Sequence, residues 1–468
     1  MLKKFAVALL TLILASLPLA GIAKADTAAT NLITNPSFET STAGTTPDNW
    51  QASNYSTVAN GNTATFSYLN AGHSGTHSAE VQVTKFTDGS ANWYYPDVAV
   101  TAGTTYQFSD WYQASIDTEV DAEVMVNGVA QYFKVGTAFA SPTWKSYTGT
   151  FTVPAGGTAM SVYHLIAGVG TLTTDDYSLT TYTPAPFNRA MVSVTFDDGW
   201  LNQYQNGVPV MTTDGLVGTY YIISDSSVTN PDPLYMNGSQ IKSLYAAGNE
   251  IASHSVTHPD LTTLTPAQLT TEMQQSQTVL QNLIGAPVTD FAYPFGTYNA
   301  ATIAEGLKYY QSQRTVNAGF NTKDSLDATQ LKMYEVDSNI TTAQVQAWID
   351  EAIATKSWLI LTYHEIATTP SDPTDAQYTT QPADFATEMA YLKSTGVNVE
   401  TVAQALADAK AQLKPGDLNN DGSVDALDLS TLLTNWNKTG VTAAKGDLNG
   451  DATVDALDLS ALLTNWSK

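Results

Sequence analysis

No cysteine occurs in the 468 residues. Disulfides and thiolate ligands are therefore excluded, and any metal must sit on oxygen and nitrogen donors. Basic residues are scarce: 19 Lys and Arg stand against 44 Asp and Glu, a net charge of −25. Such a chain cannot neutralise phosphates, so a nucleic-acid partner is excluded; a neutral or partly cationic partner suits it better. Long apolar runs are missing except over 5–20, which follows Lys3 and Lys4 and precedes Ala23-Lys24-Ala25. That run is short for a membrane span and contains Pro18, so residues 1–25 read as a secretory signal peptide. The expectation is a secreted, extracellular protein with no membrane span after cleavage. Its length exceeds one ordinary domain, and about two to four are expected.

Against this background the carboxylates and histidines are unevenly placed. Asp197 and Asp198 end the apolar run Met191–Phe196, which reads as a buried strand, within Thr195-Phe196-Asp197-Asp198-Gly199. His254-Ser255-Val256-Thr257-His258 follows. On a helical turn the two rings, four residues apart, would project from one face. Two imidazoles and one carboxylate are the ligands of a metal site with open positions, suited to Zn²⁺ or a similar first-row ion. The second carboxylate is then free to act as a base.

Further along come Tyr293-Pro294-Phe295-Gly296 and Trp358-Leu359-Ile360-Leu361-Thr362-Tyr363-His364-Glu365. In this order the four motifs resemble the polysaccharide deacetylase family (carbohydrate esterase family 4), and the resemblance covers residues 190–414. It implies a distorted, incomplete (β/α) barrel, consistent with strand-like 217–223, helix-like 266–284 and helix-like 384–394. It further implies Asp198, His254 and His258 as ligands of Zn²⁺, Co²⁺ or another divalent ion. Asp197 would be the general base, His364 the general acid, and the Phe295 backbone N–H an oxyanion donor. Departures from the family pattern are visible. Many members carry Arg where this chain has Ala292, and Arg314 is the nearest downstream candidate to replace it. No Asp-Trp motif precedes the last strand, and Thr362 occupies a position that usually lines the acetyl-methyl pocket.

Residues 26–182 alternate short runs of Thr, Ser, Gly and aromatic residues with turn signals such as Asn127-Gly128, the pattern of an antiparallel β-sandwich. The opening over 31–39 and the close over 175–179 resemble the ends of carbohydrate-binding modules of the family 4/9 type. That likeness makes Glu39 and Asp176 candidates for a structural Ca²⁺. Among the aromatics, Trp93 and Tyr95 share one strand face and are candidates for a glycan platform. Thr183-Pro184-Ala185-Pro186 marks a linker over 183–189.

Residues 415–468 contain a near-literal repeat, 416–430 recurring at 446–460. Each copy fits an EF-hand calcium frame with ligands at positions 1, 3, 5, 7, 9 and 12. These are Asp417, Asn419, Asp421, Ser423, Asp425 and Asp428, then Asp447, Asn449, Asp451, Thr453, Asp455 and Asp458. Ala452 stands where the loop normally has Gly. Asp at position 12, with one helix per loop, resembles a type I dockerin. That resemblance implies Ca²⁺, a cohesin-bearing scaffold protein as partner, and cohesin contacts through Ala426, Leu427, Ala456 and Leu457. Taken together, these features predict a secreted, scaffold-associated deacetylase of an acetylated cell-wall glycan. Acetylxylan is the expected substrate, chitin-like or poly-N-acetylglucosamine polymers the alternative. An inactive glycan-binding scaffold protein is the reading from a different class.

Overall fold

A computed structural model describes residues 30–371, 373–418, 423–438, 446–448 and 453–467. The expected signal peptide, Asn419, Asp421, Asn449, Asp451 and Ala452 lie outside the described residues. Among the described residues no helix is long and apolar enough to cross a membrane.

The N-terminal part is the expected sandwich. It contains β1 (Gln51–Tyr55), β2 (Thr63–Leu69), β3 (Ser78–Lys85), β4 (Ser90–Tyr94), β5 (Val98–Ala99) and β6 (Thr105–Ala114). Then follow β7 (Thr118–Val126), β8 (Val129–Ala138), β9 (Ser141–Thr152), β10 (Gly157–Leu165) and β11 (Gly170–Thr181). One sheet runs β5-β10-β7-β8, the other β2-β3-β11-β6-β9, with β1 and β4 paired beside them. Asn127 and Gly128, both at positive φ, make the β7–β8 hairpin, because such a two-residue turn matches the strand twist. The module's ends meet: Leu32 N–H donates to Leu179 O and Tyr177 N–H to Pro36 O.

The expected glycan platform of this module is corrected. Trp93 and Tyr95 are buried; the Trp93 indole donates to Glu80 O and the Tyr95 hydroxyl accepts from Val162 N–H. They are core residues, and Tyr94 between them takes the open face. Glu39 and Asp176, the candidates for a structural Ca²⁺, lie near the joined ends of the module. Glu39 accepts from Thr76 and His77 N–H at 2.8 Å each, and Asp176 pairs with His73 at 2.7 Å.

The part that follows is a parallel barrel of β12 (Met191–Phe196), β13 (Gly218–Ile222), β14 (Glu250–Ser253), β15 (Asp290–Ala292), β16 (Ser312–Ala318), β17 (Leu331–Glu335) and β18 (Trp358–Tyr363). Two short pairing strands, β19 (Glu365–Ile366) and β20 (Thr379–Thr380), follow, then β21 (Asn398–Val399). β12 decides closure. Its first residues, Met191 and Val192, pair with β21, whereas Val194 to Phe196 pair with β13. The ring therefore closes at the C-terminal end of β12, where Asp197 and Asp198 leave the strand. Every residue of β12 and β18 is buried, as expected for strands packed on both faces.

The expected helix over 266–284 forms with a wider π turn at Thr271–Gln275. The connection over 183–189 is bound to the barrel: Lys323 N–H donates to Ala185 O, Phe187 N–H to Lys356 O, and Phe187 is buried. The Lys332 ammonium also donates to Thr150 O at 3.1 Å, and Phe139 meets Tyr298 ring to ring, so the sandwich rests on the barrel. At the C-terminus the helices Ala426–Thr434 and Ala456–Thr464 enclose Val424, Leu432, Val454 and Leu462.

Candidate active site

The barrel's C-terminal end gathers three of the chain's six histidines into a cleft of about 190 Å³. Asp198 follows β12 at φ 71°, a left-handed turn completed by Gly199. Its Oδ1 lies 3.5 Å from His254 Nε2 and 3.6 Å from His258 Nε2, while the two Nε2 atoms are 3.2 Å apart. Two of the donors are aimed by a second contact. His254 Nδ1 donates to Ala292 O at 2.9 Å, which leaves Nε2 as the free lone pair. The Trp200 indole donates to Asp198 Oδ2, which leaves Oδ1 for a ligand. Burial, then the neighbouring His258, pushes His254 down to about 4, so the ring is neutral and able to ligate. Three N and O donors converging this closely fit a divalent ion with open positions.

The expected helical turn under the histidines is not there. Residues 254–258 form a loop after β14, with Ser255 and His258 at positive φ. Glu272, on the π turn, accepts from the Val256 and Thr257 N–H groups at 2.9 Å each. The ring convergence thus comes from a strapped loop rather than from helical periodicity.

Asp197 stands beside this triad, fully enclosed. Its Oδ2 is 4.0 Å from His254 Nε2 and 3.9 Å from His364 Nε2, and the Arg314 guanidinium bonds it directly. Burial would raise this carboxyl, but Arg314, with His254 and His364, holds it below the usual carboxylate range. Asp197 Oδ1 is buried without a hydrogen-bond partner. Arg314 is itself 1% exposed and packs over the Tyr221 ring at 5.0 Å. Its origin is explained by register: in the parallel ladder Arg314 of β16 pairs with Ala292 of β15. The guanidinium comes from the neighbouring strand at the level of the missing arginine.

His364 follows β18, with Glu335 Oε1, from the end of β17, 3.6 Å from its Nδ1 and Tyr378 packed against its ring. Glu335 and Tyr378 were not singled out in the sequence. The signal for Glu335 was its place at the end of a strand-like run; Tyr378 gave none. Gln203 was also missed: its amide donates to Asp197 O and His364 O, tying the two strand ends together. Phe295 has φ 57° in a turn whose hydrogen bonds are made by Gly296 and Thr297 N–H, leaving its own N–H outside both. Thr362 does not line the cleft; it is buried and bonds Thr195 Oγ1 at 2.9 Å. Val316 is in the lining instead.

In the C-terminal module Asp428 and Asp458 are buried, each accepting from its own N-cap backbone and from Leu418 or Leu448 N–H. Asp417 and Asp447 are buried near them, while Ser423 and Thr453 open onto the helices capped by Asp425 and Asp455. Ala426, Leu427, Ala456 and Leu457 are exposed, the leucines by 62% and 63%.

Comparison with known proteins gives matches in chain order. Residues 30–166 match the carbohydrate binding domain family, residues 185–311 the polysaccharide deacetylase family, and residues 415–465 the dockerin type I domain. YxkH of Bacillus subtilis (strain 168), provisionally named a polysaccharide deacetylase, is 31% identical over 158 residues, 34% of this chain and 56% of that protein. A chitin deacetylase of a Pestalotiopsis species is 28% identical over 134 residues, 28% of this chain and 42% of that protein. The chain thus spans about half the length of these relatives. Among solved structures, the Streptococcus pyogenes deacetylase PplD in complex with acetate is 25% identical. That match covers 31% of this chain and 63% of the other, at a TM-score of 0.30.

Proposed function

From a chain that carries a carbohydrate-binding domain, a polysaccharide deacetylase domain and a type I dockerin domain in that order, we propose a secreted, metal-dependent enzyme that hydrolyses acetyl groups on a polysaccharide. The observation that carries this is the meeting, in one cleft, of the Asp198–His254–His258 donor set with Asp197 and His364. A divalent ion held there supplies Lewis acidity toward the acyl oxygen and makes water more acidic.

The chain's own residues do the rest. Asp197, held ionised by Arg314, accepts a proton from the attacking water as the oxygen–carbon bond forms. The Phe295 N–H donates to the developing oxyanion. His364, in its protonated form and beside Glu335 and Tyr378, gives a proton to the leaving sugar oxygen or nitrogen as the acyl bond breaks, and the proton taken up by Asp197 is released to solvent to restore the site.

Acetylxylan is the substrate suggested by the dockerin, because such modules dock enzymes that work on plant cell walls. N-acetylglucosamine polymers are the second reading, favoured by the charge of the sandwich groove described below. The dockerin loops are read as Ca²⁺ sites and its two exposed Ala-Leu pairs as cohesin contacts. An inactive scaffold protein would have no reason to keep five converging polar groups. Acetate release from acetylxylan, chitin oligomers and poly-N-acetylglucosamine, with and without chelator, tests the reading. Release should cease on chelation and return with Zn²⁺ or Co²⁺; release that survives chelation, or none from any glycan, would refute it.

A further inference from the structure

A groove of about 790 Å³, separate from the cleft, lies on the open face of the sandwich sheet β5-β10-β7-β8. Strand alternation builds it. Val120, Ala122 and Val124 of β7 point into the core, so Glu119, Asp121 and Glu123 form a row on the other face, about 6.8 Å apart. Asp97 joins them from the connection just before β5. Four tyrosines, Tyr55, Tyr94, Tyr132 and Tyr163, frame the same groove; Tyr55 is 59% and Tyr132 65% exposed.

The groove's charge is poorly compensated. Register places Asp121 between Tyr163 of β10 and Lys134 of β8, but the Lys134 ammonium is committed to Glu119 at 2.9 Å. Glu123 accepts from the Tyr163 hydroxyl, which brings no positive charge. Asp121 Oδ1 is buried with no hydrogen-bond partner. Burial and then Glu119 push the Asp121 carboxyl up to about 7 against the pull of Lys134, and burial and Glu123 raise that of Asp97. These groups are costly to ionise until a cation enters.

We propose that this groove binds a glycan strand carrying free amino groups, with sugar faces on the tyrosines and ammonium groups on the carboxylate row. Aromatic planes facing solvent suit the C–H faces of sugar rings; the hydroxyls of a neutral glycan can donate to the carboxylates but leave their charge in place, whereas ammonium groups both donate and neutralise it. A single metal ion does not fit either. Among the described residues, only Asp198, His254 and His258 converge as a group of three or more, whereas this row is spread along a strand, matching a polymer with repeated charges. An amino glycan is the product left when acetyl is removed from N-acetylated sugars, so the module would hold the enzyme on its product. The choice of glycan rests on the N-acetylglucosamine reading, the second of the two substrates proposed above; the charge and shape of the groove do not.

The test uses the full-length, metal-loaded protein and calorimetry at low salt, with a β-linked glucosamine oligosaccharide, a xylo-oligosaccharide and polylysine as probes. The glucosamine strand should bind most tightly and weaken as salt is added. Asp121→Asn with Glu123→Gln, and separately the exposed Tyr132→Ala, should each weaken it about tenfold or more. Both should leave hydrolysis of a small aryl acetate unchanged. Removing the same charge elsewhere, by Asp350→Asn with Asp384→Asn, should change nothing. Binding of xylo-oligosaccharide or polylysine as tight as that of the glucosamine strand, or groove variants that bind like wild type, would overturn the proposal. Absence of acetate release from every glycan would instead fail the deacetylase reading and leave groove binding intact.

Discussion

Replacing Arg314 with Met should cost the barrel about 3–5 kcal/mol, the range for breaking a buried ion pair from one side. Both partners are enclosed: Arg314 is 1% exposed and Asp197 4%. Met fills the volume of the stem but leaves the Asp197 carboxylate facing the barrel interior without its main counter-charge. Stacking over Tyr221 is lost as well, about 0.5–2 kcal/mol within that total. The pH sign follows from the shift. With Arg314 present, the depressed Asp197 adds stability above the unfolded carboxylate value, about 3.9, and loses it as pH falls through the folded value. In the variant burial dominates, the folded value rises above the unfolded one, and stability falls as pH increases from the unfolded value, about 3.9, through the raised folded value. Urea unfolding of the chelated protein at pH 5 and pH 8 reads both effects. Arg314→Met with Asp197→Asn should recover most of the loss, since the orphaned charge is gone. A single variant costing under about 1 kcal/mol, or a double variant no better than the single, would contradict the assigned ion pair.

Asp197→Asn should keep the metal and lose about 10²–10⁴-fold in kcat, whereas His364→Ala should lose much less on aryl acetates than on sugar acetates; equal losses on the two substrates would remove the acid role. Gly296→Ala should impair turnover and destabilise by more than about 1 kcal/mol. Gly296 sits at φ +64°, and an added Cβ would lie 2.3 Å from Val316 Cγ2; unchanged kcat and stability would show that the Phe295 turn is not constrained as described. In the C-terminal module, Leu427→Asp or Leu457→Asp alone should leave cohesin binding, and the pair should abolish it; loss on either single change would rule out two equivalent faces. Calcium titration followed by circular dichroism should show helix forming with the ion, and full helicity in chelator would count against ion-coupled folding.

What was legible in the chain was local. The strand running out at Asp197 and Asp198, the His254–His258 spacing, the late strand before His364 and the Asp-rich repeats are short patterns whose chemistry depends on neighbours in sequence. Tertiary structure decided whatever depends on contacts across strands. Arg314 reaches Asp197 because parallel register sets β16 beside β15 at Ala292, and no spacing along the chain encodes register. Glu335, Tyr378 and Gln203 join the cleft from separate elements for the same reason. The histidine pair converges through a loop held by Glu272, because left-handed residues replaced the helical turn that spacing suggested. Alternation showed that Trp93 and Tyr95 share a face, but only packing of the second sheet decided that this face is the core and that Tyr94 looks outward.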